Sequence, residues 1–405
     1  MIRRVYPSQA RGTVSAPPSK SAAHRLLIGA ALARGESEVA CLALSRDIEA
    51  TAAGLAALGA GIKLQNGVAA VTGIDFTGPA PAHILPCGES GSTLRFLLPL
   101  CLLREEETTL TGTERLFARG LSVYEAICRD RDILFRQERD RVTVRGRLTP
   151  GIYRLPGNVS SQFITGLLYA LPLLSGDSEI HLTTGLQSAP YLDMTLSALS
   201  AFGVGVTRPA PDRFLIPGGQ RFSPRSVTVE GDWSNAAFLL ALNGLGGELT
   251  VTGLDENSPQ GDKVCRGYLE AIRNGAPTLD VSDCPDLAPV LMACAALHHG
   301  AVLTGTARLK IKESDRGAVM AEELRKCGAQ VTVEEDEITV APGALHAPAA
   351  ALCGHNDHRV VMALTVLLSV LGGEVTDAGA VAKSWPDFFE TLDSIGVKTL
   401  ETDER

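Results

Sequence analysis

An internal repeat runs through the chain and restricts its fold more than any other feature of the sequence. Each copy has a polar loop, an apolar helical run, a Gly-Glu or Gly-Asp pair or its equivalent, and a β-branched strand. Six copies are present: SKSAAHRLLIGAALARGESEVACLAL, ESGSTLRFLLPLCLLREEETTLTGTERL, SSQFITGLLYALPLLSGDSEIHLTTGL, DWSNAAFLLALNGLGGELTVTGL, PDLAPVLMACAALHHGAVLTGTARL and NDHRVVMALTVLLSVLGGEVTDAGAV. They recur at roughly 70 residues, with one shorter gap of about 54 before the fifth copy, which indicates repeated supersecondary units.

A second helix recurs between these copies and ends in Gly before another strand. It is found in LAALGAGIKL, LSAFGVGVTR, LEAIRNGAP, LRKCGAQVTV and LDSIGVKTL. Gly is the expected residue just past a helix end because it tolerates a left-handed backbone. The second copy has AICRDRDILF without this Gly, so the pattern does not fix its helix end. Two helices and several strands per copy predict an α/β fold of six units, divided into two domains of three.

The domain boundary is expected where Pro and Gly cluster, around residues 217–231. This places one domain at residues 19–226 and the other at residues 1–18 plus 227–405. The segment before Pro17 would then cross back to the second domain, which the sequence alone does not prove.

Composition excludes several classes of protein. The net charge of −9 argues against non-specific binding of nucleic acid. Nine cysteines without a C-x-x-C pair fit neither a disulfide framework nor a zinc site, and they suggest a reducing compartment. The start of the chain has no apolar signal-peptide core, and the longest apolar run, at residues 360–371, is too short to span a bilayer. We therefore expect a cytoplasmic protein that binds no membrane.

The loops that enter the first helices concentrate Ser, Asn, Asp, Lys and Arg. A helix start offers unpaired N–H groups and a partial positive charge, so it binds phosphate and carboxylate groups. Ser21 and Arg25 are four residues apart and share a helical face, while Lys20 is expected to project from the entry loop. The alternative at each position is an ordinary capped helix with solvated charges. Matching residues in several copies favour one anion-binding cleft over six unrelated helix starts.

Other copies supply further candidates for this cleft. Gly91 lies in a Gly- and hydroxyl-rich turn that a ligand could approach closely. Ser160, Ser161 and Gln162 begin a third helix, and Ser188 and Tyr191 lie in a Ser-Ala-Pro-Tyr turn that is equally compatible with a structural role.

Like charges four residues apart also suggest bound anions. Arg115 and Arg119 have this spacing, and so do Lys312 and Arg316. On an isolated helix such a pair costs about 0.2 to 0.5 kcal/mol, which a bound anion would offset. A solvated helix with ion pairs is the alternative.

Two carboxylates, Asp286 and Glu313, accompany the second pair of like charges, and Asp286, just after Pro285, suits a helix entry and a general base equally well. No Ser-His-Asp or Cys-His arrangement is evident from the spacing. His358 and Arg359 begin the sixth helix, with Asn356 or Asp357 available as its cap. The residues alone thus indicate a protein that binds multiply charged anions and can perform proton transfer on them.

Seven strings in order resemble the motifs of the 5-enolpyruvylshikimate-3-phosphate synthase family: PPSKSAAHR, ESGSTLR, NVSSQF, SAPYLDMT, KESDR, NDHR and KSWPDFF. The resemblance covers nearly the whole chain. It implies two domains, each of three βαβαββ units closing as an inside-out α/β barrel, with the active site in the cleft between them. It also implies transfer of enolpyruvyl from phosphoenolpyruvate to the 5-hydroxyl of shikimate 3-phosphate, by a monomer, with no metal or organic cofactor.

The resemblance assigns roles to individual residues. The expected catalytic residues are Asp286, which deprotonates the 5-hydroxyl, and Glu313, which protonates the methylene carbon, a role that Lys20 could share. The expected ligands of shikimate 3-phosphate are Lys20, Ser21, Arg25, Ser160, Ser161, Gln162, Ser188, Tyr191, Asp286 and Lys312. The expected ligands of phosphoenolpyruvate are Lys20, Gly91, Arg119, Gln162, Arg316, Arg359 and Lys383.

This chain departs from the family pattern at Arg308, where Asn or His usually touches the shikimate. Ser-Thr-Leu follows Gly91 where many relatives have Thr-Ala-Met, and Gly91 itself leaves room for the inhibitor glyphosate. One alternative is the sister enzyme that acts on UDP-N-acetylglucosamine, but it carries a reactive Cys in the loop matching LTGTERLFARG, where this chain has none. The other alternative is a non-catalytic protein that binds phosphorylated metabolites.

Overall fold

The computed structural model describes residues 1–76 and 82–402. The described chain forms two compact units. The middle unit is Lys20–Glu230, and the terminal unit combines Met1–Ser19 with Gly231–Arg405. The later division falls at 230/231 rather than at the expected 226/227, because strand β14 (Ser226–Thr228) pairs with the first repeat of the middle unit.

Each repeat contributes two principal helices. The first helices are α1 (Lys20–Leu32), α3 (Gly91–Cys101), α6 (Ser161–Ala170), α8 (Trp233–Gly244), α10 (Ala288–Leu297) and α12 (His358–Leu371). The second helices are α2 (Arg46–Leu58), α5 (Ser122–Arg129), α7 (Ala189–Ala201), α9 (Cys265–Asn274), α11 (Arg316–Lys326) and α13 (Phe388–Ser394). A short α4 (Glu114–Ala118) and 3-10 turns at Leu171–Leu173, Gly261–Val264, Ala307–Ile311 and Ala378–Lys383 accompany them.

The middle unit has three four-stranded sheets with the same strand order. In each sheet the first two strands are parallel and the remaining neighbours are antiparallel. The orders are β14, β3 (Glu36–Ala40), β5 (Val68–Thr72), β4 (Gly61–Gln65); β6 (Ile84–Pro86), β7 (Thr108–Thr111), β9 (Arg141–Arg145), β8 (Leu134–Gln137); and β10 (Gly151–Leu155), β11 (Ser178–Leu182), β13 (Arg213–Ile216), β12 (Thr207–Ala210).

The terminal unit repeats this order in one sheet, formed by β16 (Thr278–Asp280), β17 (Ala301–Thr304), β19 (Glu337–Ala341) and β18 (Gln330–Val333). The first residues of the chain complete its other sheets. β2 (Arg11–Ser15) pairs parallel with β15 (Glu248–Thr252), and β1 (Ile2–Val5) lies between β20 (Gly373–Val375) and β21 (Thr399–Thr402). The segment before Pro17 therefore does cross back, as the sequence suggested.

The first helices are buried almost all round, whereas some second helices bury only one face. In α10 every residue from Ala288 to Ala296 is buried, because APVLMACAA carries no polar side chain. In α9 only Cys265 and Ile272 are buried. The apolar helical runs of the repeat thus form the core of each unit.

Helix ends agree with the glycine pattern in four of the second helices. Gly59, Gly203, Gly328 and Gly396 have φ values of 112°, 81°, 89° and 91°, the left-handed region that favours Gly. Asp132, with φ 55°, takes this conformation in the second copy, which lacks the Gly. In LEAIRNGAP the helix also ends at the Gly, because Gly275 is the C-cap of α9, but its backbone is extended, with φ 174°, rather than left-handed.

In the part of the chain that the structure describes, no helix has the length and apolar character needed to cross a membrane.

Candidate active site

Lys20 is the first residue of α1, rather than a residue of the entry loop as the sequence analysis expected. Its Nζ lies 3.0 Å from Asp47 Oδ2, in the first turn of α2. Both side chains are mostly buried, with 13% and 12% of their surface exposed. The pair fixes a partly accessible ammonium group at the start of α1.

Arg25 confirms the shared helical face, because its Nη1 donates to the backbone oxygen of Ser21 at 2.7 Å. Its Nε donates to Thr195 Oγ1 and its Nη2 to the oxygen of Tyr191, both at 2.9 Å. Burial lowers the pKa of Arg25 to about 10. Arg25 thus joins the start of α1 to α7, and it brings Ser21 and Tyr191 to one place.

A buried chain of hydroxyl groups connects α1 to the start of α3. His24 Nδ1 lies 2.7 Å from Thr51 Oγ1, which lies 2.6 Å from Thr93 Oγ1. Thr93 Oγ1 donates to Ser90 Oγ at 2.8 Å, and Ser90 caps α3. Burial holds the pKa of His24 well below its usual value, so the ring is neutral. This series of hydrogen bonds is therefore uncharged, and it positions the N–H groups of α3.

Arg119 lies directly over Gly91, the first residue of α3. A Cβ atom at Gly91 would lie 2.8 Å from Arg119 Nη1, too close for any side chain unless the guanidinium moved. Arg95 holds the backbone at Arg119, because its Nη2 donates to the backbone oxygens of Arg119 and Gly120, both at 3.3 Å. The other amino group of Arg95 donates to Gln162 Oε1 at 2.8 Å. Gly91, Arg119 and Gln162 are thus brought together at the start of α3.

The serines of the middle unit differ in their roles. Ser160 caps α6, with its Oγ 3.3 Å from the N–H of Gln162, and Ser161 is the first residue of that helix. Ser188 precedes α7 in the left-handed conformation, with φ 57°, and its side chain forms no capping bond. Left-handed backbone is costly for Ser, so this conformation is maintained by its surroundings.

In the terminal unit, three cations converge on the carboxylate of Asp286. Its Oδ1 lies 3.1 Å from Lys312 Nζ and 2.8 Å from Arg316 Nη1, and its Oδ2 lies 3.5 Å from Arg359 Nη2. Burial lowers the pKa of Lys312, and the charge of Arg316 lowers it further, while Asp286 opposes the shift. Asp286 is thus a carboxylate held among groups that also suit anionic ligands.

Arg316 is 1% exposed and lies among three carboxylates. Besides Asp286, its Nη2 donates to Glu313 Oε2 at 2.7 Å, and its Nε donates to Asp357 Oδ2 at 2.9 Å. Burial alone would lower the pKa of Arg316, but these carboxylates outweigh it and raise the pKa well above its usual value. The charge that balances Arg316 in this structure therefore comes from its own unit.

The helical spacing inferred for Lys312 and Arg316 was wrong. The 3-10 turn ends at Ile311 and α11 begins at Arg316, so the two cations do not share a helix. They approach each other through Asp286 instead.

Arg359 and Lys383 are both buried. Arg359 lies in the first turn of α12, and Lys383 is the last residue of the 3-10 turn Ala378–Lys383. Arg359 Nη1 donates to Asn235 Oδ1 at 2.7 Å. Lys383 Nζ donates to the oxygen of Asn356 at 2.6 Å. The cap of α12 is Asp357, one of the two residues that the sequence allowed.

A buried acid, Asp262, lies in the electrostatic field of this cluster. Burial is the main cause that raises its pKa, to about 7, and the negative charge of Asp286 adds to the effect. Native protein therefore keeps the proton of Asp262 at a pH where the unfolded chain has lost it, and stability falls as pH rises through this interval.

We expect Asp262→Asn to remove this loss of stability. From about pH 4 to about 7 the wild type should lose free energy of unfolding relative to the variant, and the difference should level off above that range. Urea unfolding at several pH values measures it. Asp283→Asn, an exposed change in the same unit, serves as the control. Parallel curves for wild type and Asp262→Asn would contradict the assignment.

Sequence reasoning missed three residues that hold these side chains, Asp47 and Arg95 in the middle unit and Asn235 in the terminal unit, and it considered Asp357 only as a cap. Arg95 offered a signal, because it lies in the second turn of α3 as Arg25 lies in the second turn of α1. Asp47 and Asn235 offered none, since their partners are distant in sequence.

Solved structures of other proteins share this fold. EPSP synthase from Acinetobacter baumannii matches with a TM-score of 0.79 at 24% identity, over 98% of this chain and 99% of that one. The enolpyruvyl transferase NikO from Streptomyces tendae matches with a TM-score of 0.75 at 14% identity, over 98% of each chain. The chain therefore shares its fold with these two proteins, which confirms the α/β fold class predicted from the repeat and the resemblance.

The amino-acid sequence identifies the family within this fold class. The sequence model of EPSP synthase (3-phosphoshikimate 1-carboxyvinyltransferase) matches residues 6–392. Proteins named 3-phosphoshikimate 1-carboxyvinyltransferase are 39% identical in Clostridium kluyveri, over 97% of this chain and 96% of the relative, and 37% identical in Clostridium perfringens, over 96% and 97%. The chain belongs to the EPSP synthase family.

Proposed function

We propose that the protein transfers the enolpyruvyl group of phosphoenolpyruvate to the 5-hydroxyl of shikimate 3-phosphate and releases phosphate. The observation that carries this proposal is Asp286 held by Lys312, Arg316 and Arg359 in a chain of the EPSP synthase family. A general base set among cations suits deprotonation of a hydroxyl group beside anionic substrates.

Shikimate 3-phosphate is assigned to the hydroxyl and cationic groups of the middle unit. Ser160, Ser161 and Ser188 would bind its phosphate, because they lie at two helix starts. Arg25 binds the backbone of Ser21 and Tyr191, Arg95 binds Gln162, and Lys20 precedes Ser21 on α1, so we assign all of these except Arg95 to the same substrate. Because Arg25 donates three bonds within the protein, it shapes this region as well as charging it.

Phosphoenolpyruvate is assigned to the cations that resemble the family's clamp. Arg119 over Gly91 and the group of Arg316, Arg359 and Lys383 supply four positive charges. Arginine forks suit phosphate and carboxylate oxygens. The guanidinium of Arg316 already donates hydrogen bonds to three carboxylates. Phosphoenolpyruvate must therefore share this guanidinium with them.

The chemistry follows from the two carboxylates. Asp286 accepts the proton of the 5-hydroxyl, and the resulting oxygen bonds to C2 of phosphoenolpyruvate while Glu313 gives a proton to C3. This yields a tetrahedral intermediate. Glu313, now a carboxylate, takes a proton back from C3 while the C2–O bond to phosphate breaks, which restores the double bond. The departing phosphate takes the proton that Asp286 had accepted. The cations offset negative charge throughout, and the residues need no metal or organic cofactor for these steps.

We also propose that the two units carry one active site in a cleft that closes on shikimate 3-phosphate and excludes water. The protein would act as a monomer in the cytoplasm, without nucleic acid or membrane partners. Because Gly91 lacks the Cβ atom that would collide with Arg119, we expect inhibition by glyphosate.

The decisive experiment measures phosphate release from phosphoenolpyruvate with each acceptor in turn. Release with shikimate 3-phosphate but not with UDP-N-acetylglucosamine supports the proposal. The reverse preference would indicate the sister activity, and binding of both substrates without release would indicate a non-catalytic protein.

A further inference from the structure

A fully buried carboxylate, Glu323, fastens the segment that precedes α12. Its Oε2 accepts the N–H of Cys353 at 2.9 Å, and its Oε1 accepts His355 Nε2 at 3.0 Å. Lys326 Nζ lies 2.7 Å from the same Oε1 and 3.1 Å from Glu322 Oε1. Glu322, Glu323 and His355 together resemble a small cation site, but Lys326 already supplies the positive charge there.

The segment is attached to α11 at two points. Glu323 and Arg316 are seven residues apart on that helix, so they lie on the same face. Arg316 binds the carboxylate of Asp357, while Glu323 binds Cys353 and His355. Residues 353–357 are thus fastened to one helix at both ends.

Between these points the backbone adopts an unfavourable conformation. His355 and Asn356 both have φ 50°, the left-handed region that non-glycine residues seldom occupy. The strain orients the oxygen of Asn356 toward Lys383 Nζ, 2.6 Å away. Two consecutive left-handed residues persist only where contacts hold them, and the bond from His355 to Glu323 is such a contact.

We propose that Glu323 and His355 are positioning residues for phosphoenolpyruvate, acting through the Asn356 oxygen on Lys383 and through the start of α12 on Arg359. This inference rests on the proposed function, which assigns both cations to phosphoenolpyruvate. The bond to Glu323 acts together with two backbone contacts, from the N–H of His355 to Cys353 Sγ and from the N–H of Asn356 to Asp377 Oδ2. Its loss weakens the hold on residues 355 and 356, so the Asn356 oxygen shifts and the ammonium of Lys383 is positioned less precisely. A cation misplaced by about 1 Å binds its anion less well.

The test replaces the imidazole donor in three ways. His355→Phe keeps a ring without the nitrogen, and His355→Asn tolerates the left-handed backbone but is too short to reach Glu323. Both should raise the KM for phosphoenolpyruvate about tenfold, as expected for loss of one charge-assisted hydrogen bond, with little change in the KM for shikimate 3-phosphate. His355→Gln, which can place an amide nitrogen near the position of Nε2, should restore most of the affinity.

Glu322→Gln is the matched control, because Glu322 neighbours Glu323 on α11 and lies near His355, but it forms its salt bridge with Lys326. It should leave both KM values unchanged. Hydrogen exchange of the Cys353 amide gives a second readout without substrates, and it should accelerate in Glu323→Gln.

Three outcomes would overturn the inference. The first is an unchanged KM for phosphoenolpyruvate in both His355→Phe and His355→Asn, and the second is an equal rise in the KM values for phosphoenolpyruvate and shikimate 3-phosphate. The third is a wild-type KM for phosphoenolpyruvate in His355→Asn when His355→Phe raises it. Wild-type protein that releases no phosphate would instead refute the proposed function and the positioning role with it. The exchange rate of Cys353 would still show whether Glu323 holds the segment.

Discussion

Asp286→Asn and Glu313→Gln should each lower turnover at least about a hundredfold, the lower end for removal of a general acid or base. Asn has the shape of Asp but cannot accept the proton of the 5-hydroxyl. Its amide group would also face Lys312 Nζ or Arg316 Nη1, which now donate to Asp286 Oδ1. Gln at residue 313 can still accept from Arg316 but has no acidic proton to give.

Steady-state phosphate release measures turnover, and calorimetric titration measures binding of shikimate 3-phosphate. We expect both variants to bind this substrate, since the serines of the middle unit are unaltered. Glu335→Gln, an exposed change in the same unit, should leave turnover at the wild-type value. Undiminished turnover of Asp286→Asn or Glu313→Gln would refute the role of that residue.

Asp357→Ala should cost about 3 to 5 kcal/mol of stability, the loss typical of breaking a buried ion pair from one side. Asp357 is completely buried, and its carboxylate accepts from Arg316 Nε, Ser314 Oγ and the N–H of Arg359. Removing it leaves the guanidinium of Arg316 buried with reduced compensation. It also removes the cap of α12.

Asp315→Ala separates these two contributions. Asp315 also caps a helix, accepting the N–H of Ala318 at 3.2 Å at the start of α11. Loss of a cap alone costs about 0.5 to 2 kcal/mol. Urea unfolding of both variants measures the difference, and equal losses would mean that the pair with Arg316 contributes little.

The order of the elements could be predicted because it depends on local patterns. The apolar runs and the glycines recur with the repeat, and they identified the first and second helices of each copy. Gly275 shows the limit of this inference, because the chain after α9 continues in an extended conformation that the same pattern does not distinguish.

Charge partners were harder to predict because they depend on contacts between distant residues. Lys312 and Arg316 looked like a repulsive pair on one helix. The structure instead separates them by a bend and inserts Asp286, from 26 and 30 residues earlier, between them. Asp357, 41 residues from Arg316, had been considered only as a cap. The resemblance to family motifs could identify the cationic residues, but only the structure shows which carboxylates bind them.

The pairing of β1 and β2 with strands far later in the sequence has a consequence for synthesis of the protein. β1 and β2 are made before the middle unit, yet β2 pairs with β15, and β1 pairs with β20 and β21. The middle unit can fold once Glu230 has emerged, whereas β2 must wait for β15, and β1 must wait for β21, with unsatisfied strand edges. During synthesis β1 is thus the strand that stays unpaired, and open to aggregation, for longest.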